Sequence, residues 1–404
     1  MLSDFTNEAT YRDTRVHVSH ARTLIPDAYR SEDFYRLEQE RVFGRGWVAV
    51  GYTSQVSARG EVLPVTVGGQ PIIVVRDRVG ELRAFYNVCR HRGSILVKEA
   101  GCQEVIRCPY HSWVYGTDGK LLRTPYFKGN DVPTAEAAFF DPADAKHFCK
   151  DDYGLIPARV GVWGCFVFVS LDPDGMSLEA WLGDLPERYA RHPLHELKLV
   201  RRARFDIKAN WKLVAENFME YYHLRSIHPE LCKVSGVNEH HRYQGPGMYT
   251  GMCTSPLTRD PTSPLDRLPV MQGLSDVEAT SAYWVLIAPN LALFLLPNHL
   301  YTLLLTPEGP MATTEHTDLL VHPDAVQALG ADGETTVDAV FDYWDRVNRQ
   351  DFTAVEGVQR GIAARPYKGG RMCVRFEESI HRFQNIIVDR MVGVERVPDG
   401  DHVH

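Results

Sequence analysis

From Trp47 to about Pro157, apolar and polar residues alternate in short runs split by Gly68-Gly69, Val79-Gly80 and Asp118-Gly119. This two-residue period, punctuated by turn residues, predicts a small antiparallel β domain. Ahead of it, residues 31–43 begin with a capping Ser31 and two acids and continue with apolar groups at helical spacing, so a helix is expected there. Beyond it the pattern predicts a buried strand over 163–171, a helix over 178–192 and a strand over 199–207. Two strongly apolar strands are expected within 283–305, around Pro289-Asn290 and Pro297-Asn298, and another over 313–321. Helices over about 337–364 and 376–392 close the chain, and the Pro-rich, polar stretch 255–276 reads as a loop. The expected fold class is α+β: a helical segment at 1–45 packing on the larger domain, an antiparallel β domain at 46–160, and at 161–404 an antiparallel sheet covered by helices.

The β domain holds the most informative residues. Cys89 and His91 form a C-x-H knuckle, and Cys108 and His111 form C-x-x-H. Two thiolates on one iron and two imidazoles on the other suit a [2Fe–2S] cluster, whose potential the neutral ligands raise from about −400 mV to about −150 to +300 mV. Zinc is the alternative occupant of a Cys₂His₂ set, although zinc fingers usually pair Cys with Cys and His with His.

A second constellation lies in residues 210–230. Glu216, Glu220 and His223 would share one face of a continuous helix, and such a face needs a cation if it is buried. Pro229 disfavours helix at His228, so a turn could bring His223 and His228 to one ion. Two imidazoles and one carboxylate make the facial triad of non-haem iron oxygenases. The carboxylate is expected from the late helix, where Asp351 falls on the mainly apolar face marked by Trp344, Val347, Asn348, Val355, Val358 and Ile362; Asp345 and Glu356 are its rivals. Tyr221, Tyr249, Trp284, Phe294 and Tyr301 are candidate pocket linings, and Arg371 or His316 could meet a substrate carboxylate.

Composition narrows the classes. With 404 residues, 44% hydrophobic, the chain can build two or more cores. A net charge of −8 without a basic stripe excludes nucleic acid as an expected partner. Residues 1–22 lack an apolar signal core, and no apolar run approaches the roughly eighteen residues that span a bilayer, so a cytoplasmic enzyme without membrane contact is expected. Eight cysteines are too sparse for a disulfide scaffold, and Cys102, between the knuckles, is the only spare thiol of interest. No G-x-G-x-x-G loop follows a strand, which leaves NADH to a partner protein.

Together, the two knuckles, Asn210-Trp211-Lys212, Glu216-Asn217-Phe218, the acid-x-x-His and His-x4-His element and Gln350-Asp351 resemble the alpha subunit of the Rieske non-haem iron (ring-hydroxylating) oxygenases over nearly the whole chain. The resemblance implies a helix-grip, START-like catalytic domain and a homotrimer fed by a separate flavin/[2Fe–2S] reductase or ferredoxin. It implies a Rieske cluster on Cys89, His91, Cys108 and His111, and mononuclear Fe(II) on His223, His228 and Asp351. Glu220, near Asn217, would bridge to a Rieske histidine of the neighbouring subunit and carry the electron route. Many members have Asp at that position, and Glu resembles the branch acting on carnitine, choline and glycine betaine. The implied activity is hydroxylation or oxidative N-demethylation of a small quaternary ammonium or N-methyl compound with O₂. Aromatic-ring oxygenation is the alternative, and a Rieske electron-transfer protein without oxygenase activity a remote one.

Overall fold

The computed structural model describes residues 4–126, 147–260 and 262–400. The chain divides into two compact units, residues 50–162 with 166–174, and residues 1–49 with 163–165 and 175–404.

The smaller unit is mainly β. Strands β1 (Val48–Tyr52), β2 (Glu61–Val67), β3 (Gln70–Arg76), β4 (Leu82–Tyr86), β5 (Gly101–Cys102), β9 (Pro157–Trp163) and β10 (Phe166–Ser170) make one sheet in the order β1-β10-β9-β4-β3-β2-β5. Strands β6 (Val105–Arg107), β7 (Val114–Gly116) and β8 (Leu121–Arg123) make a second, three-stranded one, with antiparallel pairing through β9-β4-β3-β2-β5 and through this second sheet. Its core gathers Ile73, Val75 and Phe85 of the first sheet with Ile106, Tyr115 and Leu121 of the second. The Asp118-Gly119 turn joins β7 to β8; Gly119 is needed there because φ is +86° and because a Cβ would meet the Phe85 ring at 2.5 Å.

One strand expected in the larger domain belongs here instead. Gly164, at φ +56°, reverses the chain after β9, so β10 pairs back into the first sheet. All five residues of β10 are buried, the four apolar ones and Ser170 alike, and a strand buried on both faces carries no mark of which sheet it joins.

The larger unit is built on a second seven-stranded antiparallel sheet. Strands β11 (Lys198–Ile207), β12 (His240–Arg242), β13 (Tyr249–Thr254), β14 (Ala282–Ile287), β15 (Leu291–Leu295), β16 (Leu300–Gly309) and β17 (Ala312–Val321) lie in the order β11-β17-β16-β15-β14-β13-β12. Both Pro-Asn pairs are turns, so residues 282–309 supply three strands rather than two. Helix α1 (Trp211–Phe218) packs on β14 and β16, α2 (Gly333–Ile362) on α1 and β11, and α3 (Glu378–Val392) on β13. The helix expected over 178–192 is broken into Leu178–Leu182 and Leu185–Arg188. At the break, Gly183 (φ +60°) passes so close to Pro246 that a Cβ would lie 1.7 Å from its carbonyl oxygen.

The N-terminal segment is latched to α1 by a buried ion pair. Lys212 Nζ meets Glu38 Oε1 at 2.7 Å with both side chains fully buried, and Trp211 Nε1 donates to Glu38 Oε2 at 2.7 Å. The rings of Tyr29, Phe34 and Trp211 surround the ammonium. Lys212→Met is expected to lose about 3–5 kcal/mol of stability, because it strands the Glu38 carboxylate in an apolar site. Chemical denaturation measures the loss, and a Glu38→Gln/Lys212→Met double variant should recover part of it.

Candidate electron-transfer and iron sites

The two knuckles are the same loop drawn twice. Cys89 N–H donates to Ser94 O at 2.8 Å and Gly93 N–H returns to Cys89 O at 3.0 Å; Cys108 N–H donates to Trp113 O at 2.8 Å and Ser112 N–H returns to Cys108 O at 3.2 Å. The fourth residue after each cysteine takes a left-handed conformation, Gly93 at φ +72° and Ser112 at φ +55°. The loops therefore superpose in hydrogen bonding although the histidine stands one position later in the second. Both thiols are buried and face one another, while the two imidazoles are half-buried with ring centroids 4.6 Å apart. His91 lies flat against Trp113 at 4.9 Å.

This arrangement decides between the two occupants. Ligands of one tetrahedral zinc lie about 2.0–2.3 Å from the metal, so all pairs of donor atoms fall within about 4.6 Å. Among the described residues only His223, His228 and Asp351 bring three donors within 4.8 Å of one another, and the four knuckle residues do not. They fit a wider, two-iron cluster with thiolates on the inner iron and imidazoles on the outer.

Tyr115 tunes the thiolate side. Its hydroxyl oxygen accepts from Arg90 N–H at 3.0 Å, which leaves its own proton for Cys89 Sγ at 3.3 Å. A hydrogen bond withdraws charge from sulfur and favours the reduced cluster. Tyr115→Phe is expected to lower the midpoint potential by about 40 mV for each kcal/mol of hydrogen bond lost. Redox titration followed by visible absorption reads the shift, and an unmoved potential would remove Tyr115 from this role.

The second site arises where α1 stops. The helix ends at Phe218, so the continuous face expected for Glu216, Glu220 and His223 does not form. Glu216 turns away from the histidines into the core, accepting from Tyr29 OH at 2.8 Å and Gln384 Nε2 at 2.9 Å; burial pushes its carboxyl up to about 7. After a bend, a one-turn helix, Leu224–Ile227, carries a histidine at each end: His223 is its N-cap and His228 its C-cap, with Pro229 beyond. The two rings stand 5.1 Å apart at 76°.

Hydrogen bonds on the outer nitrogens set the tautomers. His228 Nδ1–H donates to Gln350 Oε1 at 2.7 Å, and His223 Nδ1–H donates to the Glu220 carboxylate. With those protons committed, both Nε2 lone pairs converge on one oxygen of Asp351, at 2.9 Å from His228 and 3.6 Å from His223. Three electron-rich atoms gathered this closely repel unless a cation lies among them, and two imidazoles with one carboxylate are the donors that suit iron. Asn217 Nδ2 steadies the same Asp351 oxygen at 3.3 Å. Burial disfavours a charged His223 ring, but the Glu220 hydrogen bond and charge outweigh it, so the imidazole's pKa is raised. Glu220 also accepts from the backbone N–H groups of Tyr222 and His223.

The rivals of Asp351 are engaged elsewhere: Asp345 holds Arg349, and Glu356 accepts from Lys208 N–H.

A cavity opens directly on these donors, walled by Phe218, Trp284, Phe294, Tyr301, Trp344 and Phe352. Phe294 stands edge-on to Trp284 (5.4 Å), Trp344 (5.4 Å) and Tyr301 (5.3 Å). Trp344 is fixed by its indole N–H, which donates to His299 Nε2 at 2.8 Å; His299 in turn binds Asn298, whose amide donates to the carbonyls of Leu265 and Leu268 in the 255–276 loop. Burial holds His299 neutral, its pKa pushed down to about 3.

Of the five aromatics expected at a pocket, the structure brings Trp284, Phe294 and Tyr301 to this wall and not the other two. Tyr249 is buried with its hydroxyl on Asp184, and Tyr221 donates to Arg375 O while packing on His240 and Phe376. Arg371 donates to the carbonyls of Ser19 and His20, and His316 pairs across β17 with Arg204 and Leu304; neither lines the cavity. Sequence reasoning missed Glu315, fully buried on the cavity wall, whose carboxyl is pushed up to about 7 by burial, with Asp351 adding to it. Its signal was a lone acid at an inward position of the alternating Thr313-x-Glu315-x-Thr317-x-Leu319 strand.

A cluster domain of this build and a helix-covered sheet presenting two histidines and an aspartate define an oxygenase class in which a Rieske centre serves a mononuclear iron. Comparison with known proteins agrees. The Rieske [2Fe-2S] domain family matches residues 46–136, and the ring hydroxylating alpha subunit (catalytic domain) family matches residues 194–393. The glycine betaine monooxygenase oxygenase subunit of Chromohalobacter salexigens is 30% identical over 90% of this chain and 84% of its own length. The chloroplastic choline monooxygenase of Beta vulgaris is 29% identical over 92% of this chain and 77% of its own. A quaternary ammonium Rieske monooxygenase solved with L-carnitine aligns with TM-score 0.75 and 25% identity, covering 95% of this chain and 99% of the other. Naphthalene 1,2-dioxygenase from Rhodococcus, 22% identical, shares the fold with TM-score 0.72 over 92% of this chain and 94% of its own. The chain belongs to the Rieske non-haem iron oxygenases. It is an oxidoreductase whose cofactors are a Rieske [2Fe–2S] cluster and a mononuclear iron. Among the described residues, no helix is long and apolar enough to cross a membrane.

Proposed function

We propose that this protein is a terminal oxygenase component that uses O₂ and electrons from a separate NAD(P)H-dependent reductase to hydroxylate or oxidatively N-demethylate a small quaternary ammonium or N-methyl compound. The observation that carries the reading is the aromatic cavity opening on the His223, His228 and Asp351 donors. The faces of Trp284, Phe294 and Trp344 attract an alkylammonium by about 0.5–2 kcal/mol each. Relatives named as glycine betaine and choline monooxygenases support the same substrate class.

In this reading His223, His228 and Asp351 hold the iron, and Cys89, His91, Cys108 and His111 hold the cluster. When bound, the iron supplies dioxygen activation and the cluster supplies electrons one at a time. Gln350 and Glu220 keep the two imidazoles turned with Nε2 inward, and Asn217 holds the Asp351 carboxylate in register. The aromatic wall excludes water and presents a methyl group toward the donors. One oxygen atom enters a C–H bond and the other leaves as water, consuming two electrons and two protons. If the carbon is an N-methyl, the product breaks its C–N bond, giving formaldehyde and the amine. Glu220 is the bridge to a Rieske histidine of a neighbouring subunit in a trimer.

The test is oxygen uptake by the holoenzyme with a surrogate reductase, across betaines, carnitine, choline, N-methylated aromatics and simple arenes. Uptake coupled to formaldehyde, or to an aldehyde formed at a carbon beside oxygen, is expected with an N-methyl compound. Turnover confined to arenes, giving diols or phenols, would replace this function with ring hydroxylation.

A further inference from the structure

We propose that the cavity is built for a small organic monocation that carries no carboxylate, and that the buried carboxylate of Glu315 is its counter-charge. This rests on the N-methyl reading above and narrows it.

Three carboxylates line the cavity, and two are occupied: Glu220 by His223, and Asp351 by both histidines and Asn217. Glu315 is the third. It sits on β17 opposite Phe205 and Leu305, with no solvent exposure. Its Oε1 accepts from Asn348 Nδ2 at 2.6 Å, and Oε2 has no hydrogen-bond partner among the described residues. An acid buried to 0% exposure with one of its two oxygens unsatisfied is costly, and such a group is retained where a ligand completes it.

The shape of the deficit names the ligand. Among the described residues, no Lys or Arg lines the cavity. A zwitterion such as a betaine would bring its own carboxylate to a wall whose charged side chains are three acids, with only neutral donors to meet it; Arg371 is held by the carbonyls of Ser19 and His20, and His316 does not line the cavity. A neutral arene would use the rings and leave Glu315 stranded. A quaternary or tertiary ammonium has no need of directional acceptors; it needs aromatic faces and one negative charge, which are what Trp284, Phe294, Trp344 and Glu315 supply.

The test is calorimetric binding to the holoenzyme under argon, with choline, its neutral carbon isostere 3,3-dimethylbutan-1-ol, glycine betaine and L-carnitine. Choline is expected to bind at least about tenfold more tightly than the isostere and than either zwitterion. Glu315→Gln, which keeps the contact with Asn348, should bring the choline-to-isostere ratio near one while leaving the isostere's own affinity in place. Glu315→Asp should keep a preference for the cation. If the Gln variant does not fold, the wild-type ratios alone decide. Zwitterions binding as tightly as choline, or a Gln variant with an unchanged ratio, would overturn the proposal while leaving N-methyl oxidation standing. Failure of choline, glycine betaine and L-carnitine alike to bind, with oxygen uptake confined to arenes in the screen above, would instead remove the reading on which it rests.

Discussion

His223→Ala is expected to yield a folded protein that retains the visible absorption of its cluster, lacks the mononuclear iron, and turns over no substrate. The reason is geometric. His223 and His228 cap the two ends of a single helical turn and aim their Nε2 atoms at one Asp351 oxygen, so deleting either leaves a two-ligand site. Removing only an outer hydrogen-bond partner of a ligating histidine typically costs about 10- to 100-fold in metal affinity or activity, and removing the ligand itself should exceed that. Iron analysis with oxygen-uptake rates measures both effects. Full turnover with unchanged iron content would refute this assignment of the metal site.

Glu220→Gln should separate electron delivery from metal binding. The carboxylate is held by the backbone N–H groups of Tyr222 and His223 and accepts the His223 Nδ1 proton. The amide can still accept that proton, so both metals should remain. What is lost is a charge-assisted hydrogen bond, worth about 1.5–3 kcal/mol. If the same group bridges to a neighbouring subunit's cluster, the single-turnover rate should fall about 10- to 100-fold. Rapid-mixing measurement of cluster oxidation, with substrate bound and O₂ admitted, reads that rate directly. Unchanged kinetics, or full activity in a strictly monomeric enzyme, would show that the electron takes another route.

The chemistry of both centres was legible in the sequence because ligand identity is a matter of residue type and short spacing. Cysteine and histidine alternate in two knuckles, and an acid and two histidines cluster around Pro229. Asp351 was legible for a related reason: a carboxylate on the apolar face of a long helix must be compensated. The same logic misled at Glu216, which shares the spacing but finds its compensation in Tyr29 and Gln384, 187 residues before it and 168 after it. Helical periodicity assumes that the helix continues, and α1 ends at Phe218.

The pocket shows where spacing stops carrying information. Tyr249 and Trp284 are both buried aromatics on adjacent strands, and Met252, not Tyr249, stands opposite Trp284. Whether a side chain faces a cavity depends on strand register and on what packs behind the sheet, and neither is a property of the local sequence.

By itself, the sequence carried the cofactor chemistry of the two centres, the α+β class and the order of most elements, because these follow from residue chemistry and from periods of two and 3.6 positions. Only the tertiary structure decided that the two knuckles are one repeated loop, that β10 joins the first sheet, and that His223 and His228 share an oxygen of Asp351. It also decided that Glu315 lines the cavity with no cationic partner among the described residues. Each of those facts is a contact between residues distant in the chain, set by hydrogen-bond closure and burial across elements that no local pattern records.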